Sequence, residues 1–329
     1  MKIKDLRLGE QFNDLRVLIR SSSKRVSNGK TFLVLSLQDN TGTVSTTIWN
    51  PRPYDEDICQ SGNYLRISGD VNQYLGALQL KVSRVEPYTL VHEEEYLDFI
   101  LASSIELSTL TSKLKAYMDS IKNRDARAIV VYIVEKYYSP LVKHPAAKSM
   151  HHDYASGLLQ HTIKMADLGM AIYETYKDLY AIDIDLLISG ILIHDIGKVI
   201  ELSPLPDTDY TLEGNLVGHI SIGCYEIREA ARELKIKSEV PILLQHLVLS
   251  HHGVHEYGSP VLPKTTEAVL LNLIDLTDSK LESIAKNMAD VMPGEFSSRI
   301  AAFDGRSFYK PNNEKLSAPT DIDFEDDGE

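Results

Sequence analysis

The sequence predicts two domains of opposite class, a small five-stranded β-barrel followed by an all-α domain. Three observations carry this expectation. Residues 13–88 alternate apolar and polar positions over short runs broken by turn residues. From His92 onward apolar positions recur at spacings of three and four, and strand-like stretches disappear. Charge divides in the same way: residues 1–90 hold twelve Lys and Arg against nine Asp and Glu, a balance of +3, so the rest of the chain carries −16 of the formal −13 total. A length of 329 residues suffices for two domains, and 43% hydrophobic with 25% charged residues is the composition of an ordinary globular chain.

The first strand ends at the Asn28-Gly29 turn, the second at the Asp39–Gly42 turn, and the third runs to Trp49. Two more strands flank Tyr74-Leu75-Gly76, and a short helix is expected near Asp55–Gln60. Five strands in under 80 residues match an OB-fold. Such barrels bind single strands with aromatic platforms and cationic side chains. The candidates are Phe32, Trp49, Tyr64 and Tyr74, interleaved with Lys24, Arg25, Lys30, Arg52 and Arg66. The domain boundary is expected near residue 90, after Pro87, giving a barrel over 1–90, a helical domain over 91–310 and an acidic tail over 311–329. The tail's "APTDIDFEDDGE" has little to bury and reads as solvated.

In the helical part the amphipathic stretch 96–138 has apolar faces for packing within the domain or between subunits, so a homo-oligomer is a possible assembly. Ten of the eleven histidines fall between His144 and His255. They cluster in "MHHDYASGLLQHT" (His151, His152, His161), "IHDIGK" (His194, Asp195), "LVGHIS" (His219) and "LSHHGVHEYGSP" (His251, His252, His255). "LLNLIDLTDSK" adds Asp275, with Asp278 one turn later. His144 and His246 read as core or helix-end residues. The others sit on or at the ends of helices with apolar faces, an arrangement that converges ligands inside a bundle. Burying ionisable groups in an apolar segment such as "LLISGILIHDIGKV" is costly unless a partner is present. A divalent metal is that partner, since imidazole and carboxylate suit Mn, Fe, Zn and similar ions. If helical, His194 and Asp195 project about 100° apart, which lets Asp195 bridge two ions while His194 serves one. Lys198, four residues after His194, shares its face on a continuing helix.

The order His161, His194-Asp195, His219, His251-His252, Asp275 resembles the HD superfamily of metal-dependent phosphohydrolases. More closely, "GKTFLVLSLQDNTG", "GLLQHT", "LLISGILIHDIGKV", "LSHHGVHEYGSPVLPKTTEAVLLNLIDLTDSK" and "GRSFYKP" resemble the YhaM-type 3′-to-5′ exoribonucleases, which join an OB-fold to an HD domain. The resemblance covers nearly everything except the tail. One departure is Ser156, where the pattern leads one to expect a second glycine before Gly157. The resemblance implies a first metal held by His161, His194, Asp195 and Asp275. Asp195 then bridges to a second ion completed by His219 and His251 or His252, the remaining histidine facing the scissile phosphate. It also implies phosphodiester hydrolysis of single-stranded RNA, or ssDNA, by metal-activated water, with Asp195, Lys198 and His252 catalytic and Mn²⁺ the metal; the ligands alone accept Fe, Co, Ni or Zn. The alternative is an HD-type nucleotidase or cyclic-dinucleotide phosphodiesterase with a regulatory barrel, and a further one is a nucleic-acid binder without catalysis. With two cysteines, no long apolar run and no signal-peptide core at "MKIKDLRLGEQF", the expected setting is cytoplasmic, without a membrane partner.

Overall fold

The computed structural model describes residues 1–312 apart from 28, 75–76, 102, 104, 147–153, 205–207 and 289–290, and omits the side chains of 74, 77, 93 and 94. The acidic tail beyond 312, His151, His152, most of the Tyr74-Leu75-Gly76 turn and the Tyr74 side chain therefore lie outside the described residues. Met1–Ser279 forms one compact unit, and the chain from Lys280 a second.

Five strands, β1 (Gln11–Ser27), β2 (Lys30–Asp39), β3 (Gly42–Trp49), β4 (Tyr64–Tyr74) and β5 (Ala77–Pro87), close into a barrel in the order β1-β2-β3-β5-β4. All pairings are antiparallel except β3–β5, whose parallel register joins Ser45 to Gln79 and Thr46 to Leu80. Alternation drives this: Leu15, Val17, Ile19, Leu35, Leu37, Leu65, Ile67 and Leu80 point inward and are almost fully buried. The short helix expected between the third and fourth strands is α1 (Pro53–Ile58), which starts at a proline, as helices commonly do.

A strap links barrel to helices. The main-chain N–H of Asn40 donates to the Asp98 carbonyl at 3.0 Å and Gln38 Nε2 donates to that of Phe99 at 3.1 Å. Phe99 is buried with its ring edge-on to Tyr64 at 4.8 Å. Arg16 donates to the Tyr88 hydroxyl, which donates to Glu95.

The helices are α2 (Leu107–Ser120), α3 (Arg124–Lys136), α4 (Tyr138–Leu141), α5 (Gly157–Tyr176), α6 (Ile184–Ile193), α7 (Lys198–Glu201), α8 (Leu212–Val217), α9 (His219–Glu233), α10 (Val240–Ser250) and α11 (Thr266–Met288). Side-chain caps start several: Asn123 accepts from the N–H groups of Asp125 and Ala126, Asp183 from Leu186 and Thr211 from Gly214. α6 is the centre of this second core. Every residue from Leu186 to Ile193 is buried, and it packs against α3, α5 and α10. A helix apolar all round has no solvent face, so it must be enclosed. Truncating one of its leucines or isoleucines to Ala costs about 2–5 kcal/mol. Among the described residues no helix is long and apolar enough to cross a membrane.

Candidate metal centre

Five helix segments bring the histidine clusters to one point. His161 lies one turn into α5, His194 directly follows α6, His219 opens α9, His251 directly follows α10, and Asp275 lies within α11. The turn before α5 explains the glycine expected at Ser156: this residue has φ 64°, a left-handed conformation that favours glycine. It is held by its hydroxyl donating to the Val142 carbonyl.

The helix does not continue through Asp195, contrary to the expectation for Lys198. α6 ends at Ile193, residues 194–197 turn, and Lys198 begins α7. Gly197 closes this turn. A Cβ there would lie 2.1 Å from the main-chain oxygen of His219, so only glycine lets the two segments meet. That contact brings His219 to Asp195. Lys198 instead reaches Asp195 at i,i+3, Nζ to Oδ2 2.7 Å.

Asp195 is the hub. Its Oδ2 faces His194 Nε2 at 3.3 Å and His161 Nε2 at 3.7 Å, while its Oδ1 faces His219 Nε2 at 3.5 Å and His251 Nε2 at 3.7 Å. Each oxygen therefore looks at a different pair of imidazoles. Asp275 Oδ1 lies 3.4 Å from His161 Nε2. Two groups of potential ligand atoms result, His161-His194-Asp195 and His219-His251-His252.

Every one of these imidazoles has its Nδ1 occupied. His161 Nδ1 lies 2.7 Å from Asp278, His219 Nδ1 2.9 Å from Glu201, His194 Nδ1 2.8 Å from the Ile191 carbonyl, His251 Nδ1 2.7 Å from that of Val248 and His252 Nδ1 2.8 Å from that of Tyr257. All five partners accept, so each Nδ1 carries hydrogen and each Nε2 is turned towards the centre of the cluster. The Nε2 atoms of His194, His219 and His251 and Oδ1 of Asp195 are buried with no hydrogen-bond partner among the described residues. Buried polar atoms lacking partners are costly, and four converging in one pocket fit a cation. Chemistry, orientation and convergence agree that this cluster could hold a divalent metal.

Protonation states lead the same way. Burial and the neighbouring His252 and His194 hold His251 well below the usual histidine range, and burial lowers His252 as well. Burial disfavours charge on His161 too, but hydrogen bonds with Asp275 and Asp278 outweigh it and raise it to about 9. Burial opposes ionisation of Asp195 and Asp275, yet Lys198 and His194 around the former and His161 beside the latter hold both carboxyls below their ordinary range. The deep carboxylates call for positive charge.

Three residues had no role in the sequence reading. Glu201 accepts from both Nδ1 and the main-chain N–H of His219, and Asp278 braces His161. Asn272 Nδ2 donates to the His251 carbonyl at 2.8 Å. Asn272 also fills the space beside Gly253 (φ 82°), where a Cβ would meet it at 2.5 Å. Asp278 was legible as the i+3 neighbour of Asp275; Glu201 and Asn272 left no pattern.

On the barrel, register sorts the nucleic-acid candidates. Arg25 pairs with Phe32 and Phe32 with Trp49, so the three form one outward row across β1, β2 and β3. Trp49 is 58% exposed and its ring centroid lies 4.6 Å from that of half-buried Phe32. Exposed Lys30 lies at the end of the same hairpin. The other cations are engaged: Lys24 with Glu56 at 2.7 Å, Arg52 with Asp55 at 2.8 Å and Arg66 with Asp14. Tyr64 packs on Phe99 and is a seam with the strap rather than an open platform.

Comparison with known proteins matches an HD domain model to residues 158–280 and an OB-fold nucleic acid binding domain model to residues 16–88. A protein of Shouchella clausii named 3′-5′ exoribonuclease YhaM is 40% identical over 314 residues, 95% of this chain and 97% of that protein. Its namesake in Bacillus subtilis is 40% identical over 309 residues, 94% and 97% of the two chains. Among solved structures, the second OB-fold domain of replication protein A from Methanococcus maripaludis covers 28% of this chain and all of that chain, at 19% identity and a TM-score of 0.23.

Proposed function

The chain belongs to the YhaM family of 3′-5′ exoribonucleases, and on that premise we propose that it shortens single-stranded RNA from the 3′ end at the Asp195 centre. The observation that carries the reading is the division of Asp195's two oxygens between two imidazole pairs, the arrangement needed to bridge two cations. Mn²⁺ is the proposed ion, with His161, His194, Asp195 and Asp275 on one side and Asp195, His219 and His251 on the other. Divalent ions held there would supply Lewis-acid activation of water and charge compensation at the phosphate.

The chain's own residues do the rest. The Nδ1 acceptors fix each imidazole's direction, with its Nε2 turned towards the centre. Lys198, held at Asp195, places an ammonium beside the reacting phosphate. His252 is less buried than His251, and we assign it to the phosphate rather than to an ion. The row Arg25, Phe32 and Trp49, with Lys30 nearby, gives the barrel a stacking platform with cations beside it, and this supports residues 1–90 as strand holder and 91–310 as hydrolase. A homo-oligomer and a cytoplasmic setting complete the proposal; light scattering tests the first. No observation favours the nucleotidase alternative.

The test uses 5′-labelled single-stranded RNA, Mn²⁺ and an Asp195→Ala control. A ladder that shortens while keeping its label, absent in the variant, is the expected result. Intact RNA alongside phosphate release from nucleotides would overturn it.

A further inference from the structure

A cavity of about 280 Å³ lies apart from the metal ligands. Its walls come from three places: Tyr96 of the strap leaving the barrel, Ser139 to His144 at α4 and just after it, and Val199 and Pro204 around α7. Tyr96, Pro140, Val199 and Pro204 are apolar or flat, Lys143 and Ser139 are exposed at the rim, and His144 is almost fully buried. No carboxylate lines it among the described residues. Flat apolar walls take a planar ring, while a lone lysine and a hydroxyl without acidic neighbours take an anion. A ligand that is both is a nucleotide, and the volume suits one such unit.

The cavity is wired to the metal centre at both ends. The His144 carbonyl accepts from the Leu158 N–H and the Lys143 carbonyl from that of Ser156, so this segment seats the first turn of α5, which carries His161. Val199 directly follows Lys198, and Glu201 lies two residues further on. A nucleotide in the cavity therefore touches the strap and the segments flanking His161 and Lys198.

We propose that this cavity is a nucleotide subsite of the enzyme, with the base against Tyr96 and the prolines and the phosphate at Lys143. The proposal rests on the exoribonuclease reading for its context. The nucleotide has two sources, an upstream unit of the bound strand or a released mononucleotide, and the test separates them.

The full-length protein is studied with two probes, fluorescein-labelled single-stranded RNA in EDTA and AMP alone. The variants are Ser139→Trp, whose indole enters from an exposed position, and Lys143→Glu, with Lys143→Arg as the charge-retaining control and thermal melts to confirm folding. Losing one stacked base or its phosphate contact weakens binding about tenfold. A loss of that size for RNA but not AMP, restored by Lys143→Arg, assigns the subsite to the strand. The same loss for AMP assigns it to the free nucleotide. Unchanged affinity for both probes in folded Ser139→Trp and Lys143→Glu overturns the proposal. Should wild-type protein with Mn²⁺ leave RNA intact, the exoribonuclease reading fails on its own, and the AMP measurement still decides the cavity.

Discussion

The two halves of the metal centre use one device in different surroundings. On each side a carboxylate braces a histidine, Asp278 behind His161 and Glu201 behind His219. The His161 side is deep and rich in carboxylates, with Asp195, Asp275 and Asp278 around a wholly buried ring. The His219 side is rich in imidazoles, with His251 and His252 beside it, and His219 keeps 13% of its side chain exposed. In the deep half the proton on His161 stands where positive charge is wanted; in the shallow half His251 and His252 are held neutral. The difference predicts that the deep half binds a cation more tightly than the shallow half. Anionic oxygen ligands add charge attraction that neutral imidazoles lack.

Asp195 belongs to both halves, so Asp195→Asn is the largest perturbation. RNA hydrolysis should fall on the order of 10³-fold or more, and elemental analysis should find metal lost from both sides while circular dichroism retains the helices. If one full equivalent of metal stays bound, Asp195 does not bridge the halves.

The braces separate the halves. Glu201→Ala and Asp278→Ala should each weaken metal affinity about 10–100-fold, but at different steps of a calorimetric titration. Glu201→Ala should weaken the second, looser event and leave the first intact. Asp278→Ala should weaken the first. Identical effects on both steps in both variants would dissolve the distinction between the halves.

The converging residues were legible because they are histidines and aspartates in apolar helical runs, where such residues need a reason. The braces were not. Three of the five Nδ1 acceptors are main-chain carbonyls, of Ile191, Val248 and Tyr257, which no side-chain pattern announces. Glu201 ends the four-residue α7, too short to show periodicity. Gly197 in the sequence already makes a continuing helix uncertain, but its close approach to His219 was hidden, because that is a tertiary fact. Alternation revealed the five strands, since one face of each strand is buried. Which surface cations are available depends on register, and β-bulges shift register without a strong sequence signal.

Smaller effects belong to the barrel. Trp49→Ala should reduce affinity for single-stranded RNA about tenfold at unchanged metal content, measured by fluorescence anisotropy in EDTA. Loss of metal in this variant would mean that Trp49 supports the fold rather than the strand.

The finest comparison is between two cations of that barrel. Lys30 stands at a hairpin end without an ion pair among the described residues, whereas Arg66 is bound to Asp14. The pairing accompanies a bulge of β1 between Phe12 and Leu15, where Asp14 has φ 56° and its carboxylate meets Arg66 of β4, the partner of Arg16 on β1. A guanidinium already neutralised displaces few counterions from a phosphate, so it adds little to the salt dependence of binding. Lys30→Ala should therefore lower the slope of log affinity against log salt by about 0.7. Arg66→Ala should leave that slope alone, and breaking its exposed pair should leave stability nearly unchanged. Anisotropy titrations at four salt concentrations distinguish the two. Equal slopes for both variants would place the strand across β1 and β4 as well, and the outward row at Trp49 would then be only part of its path.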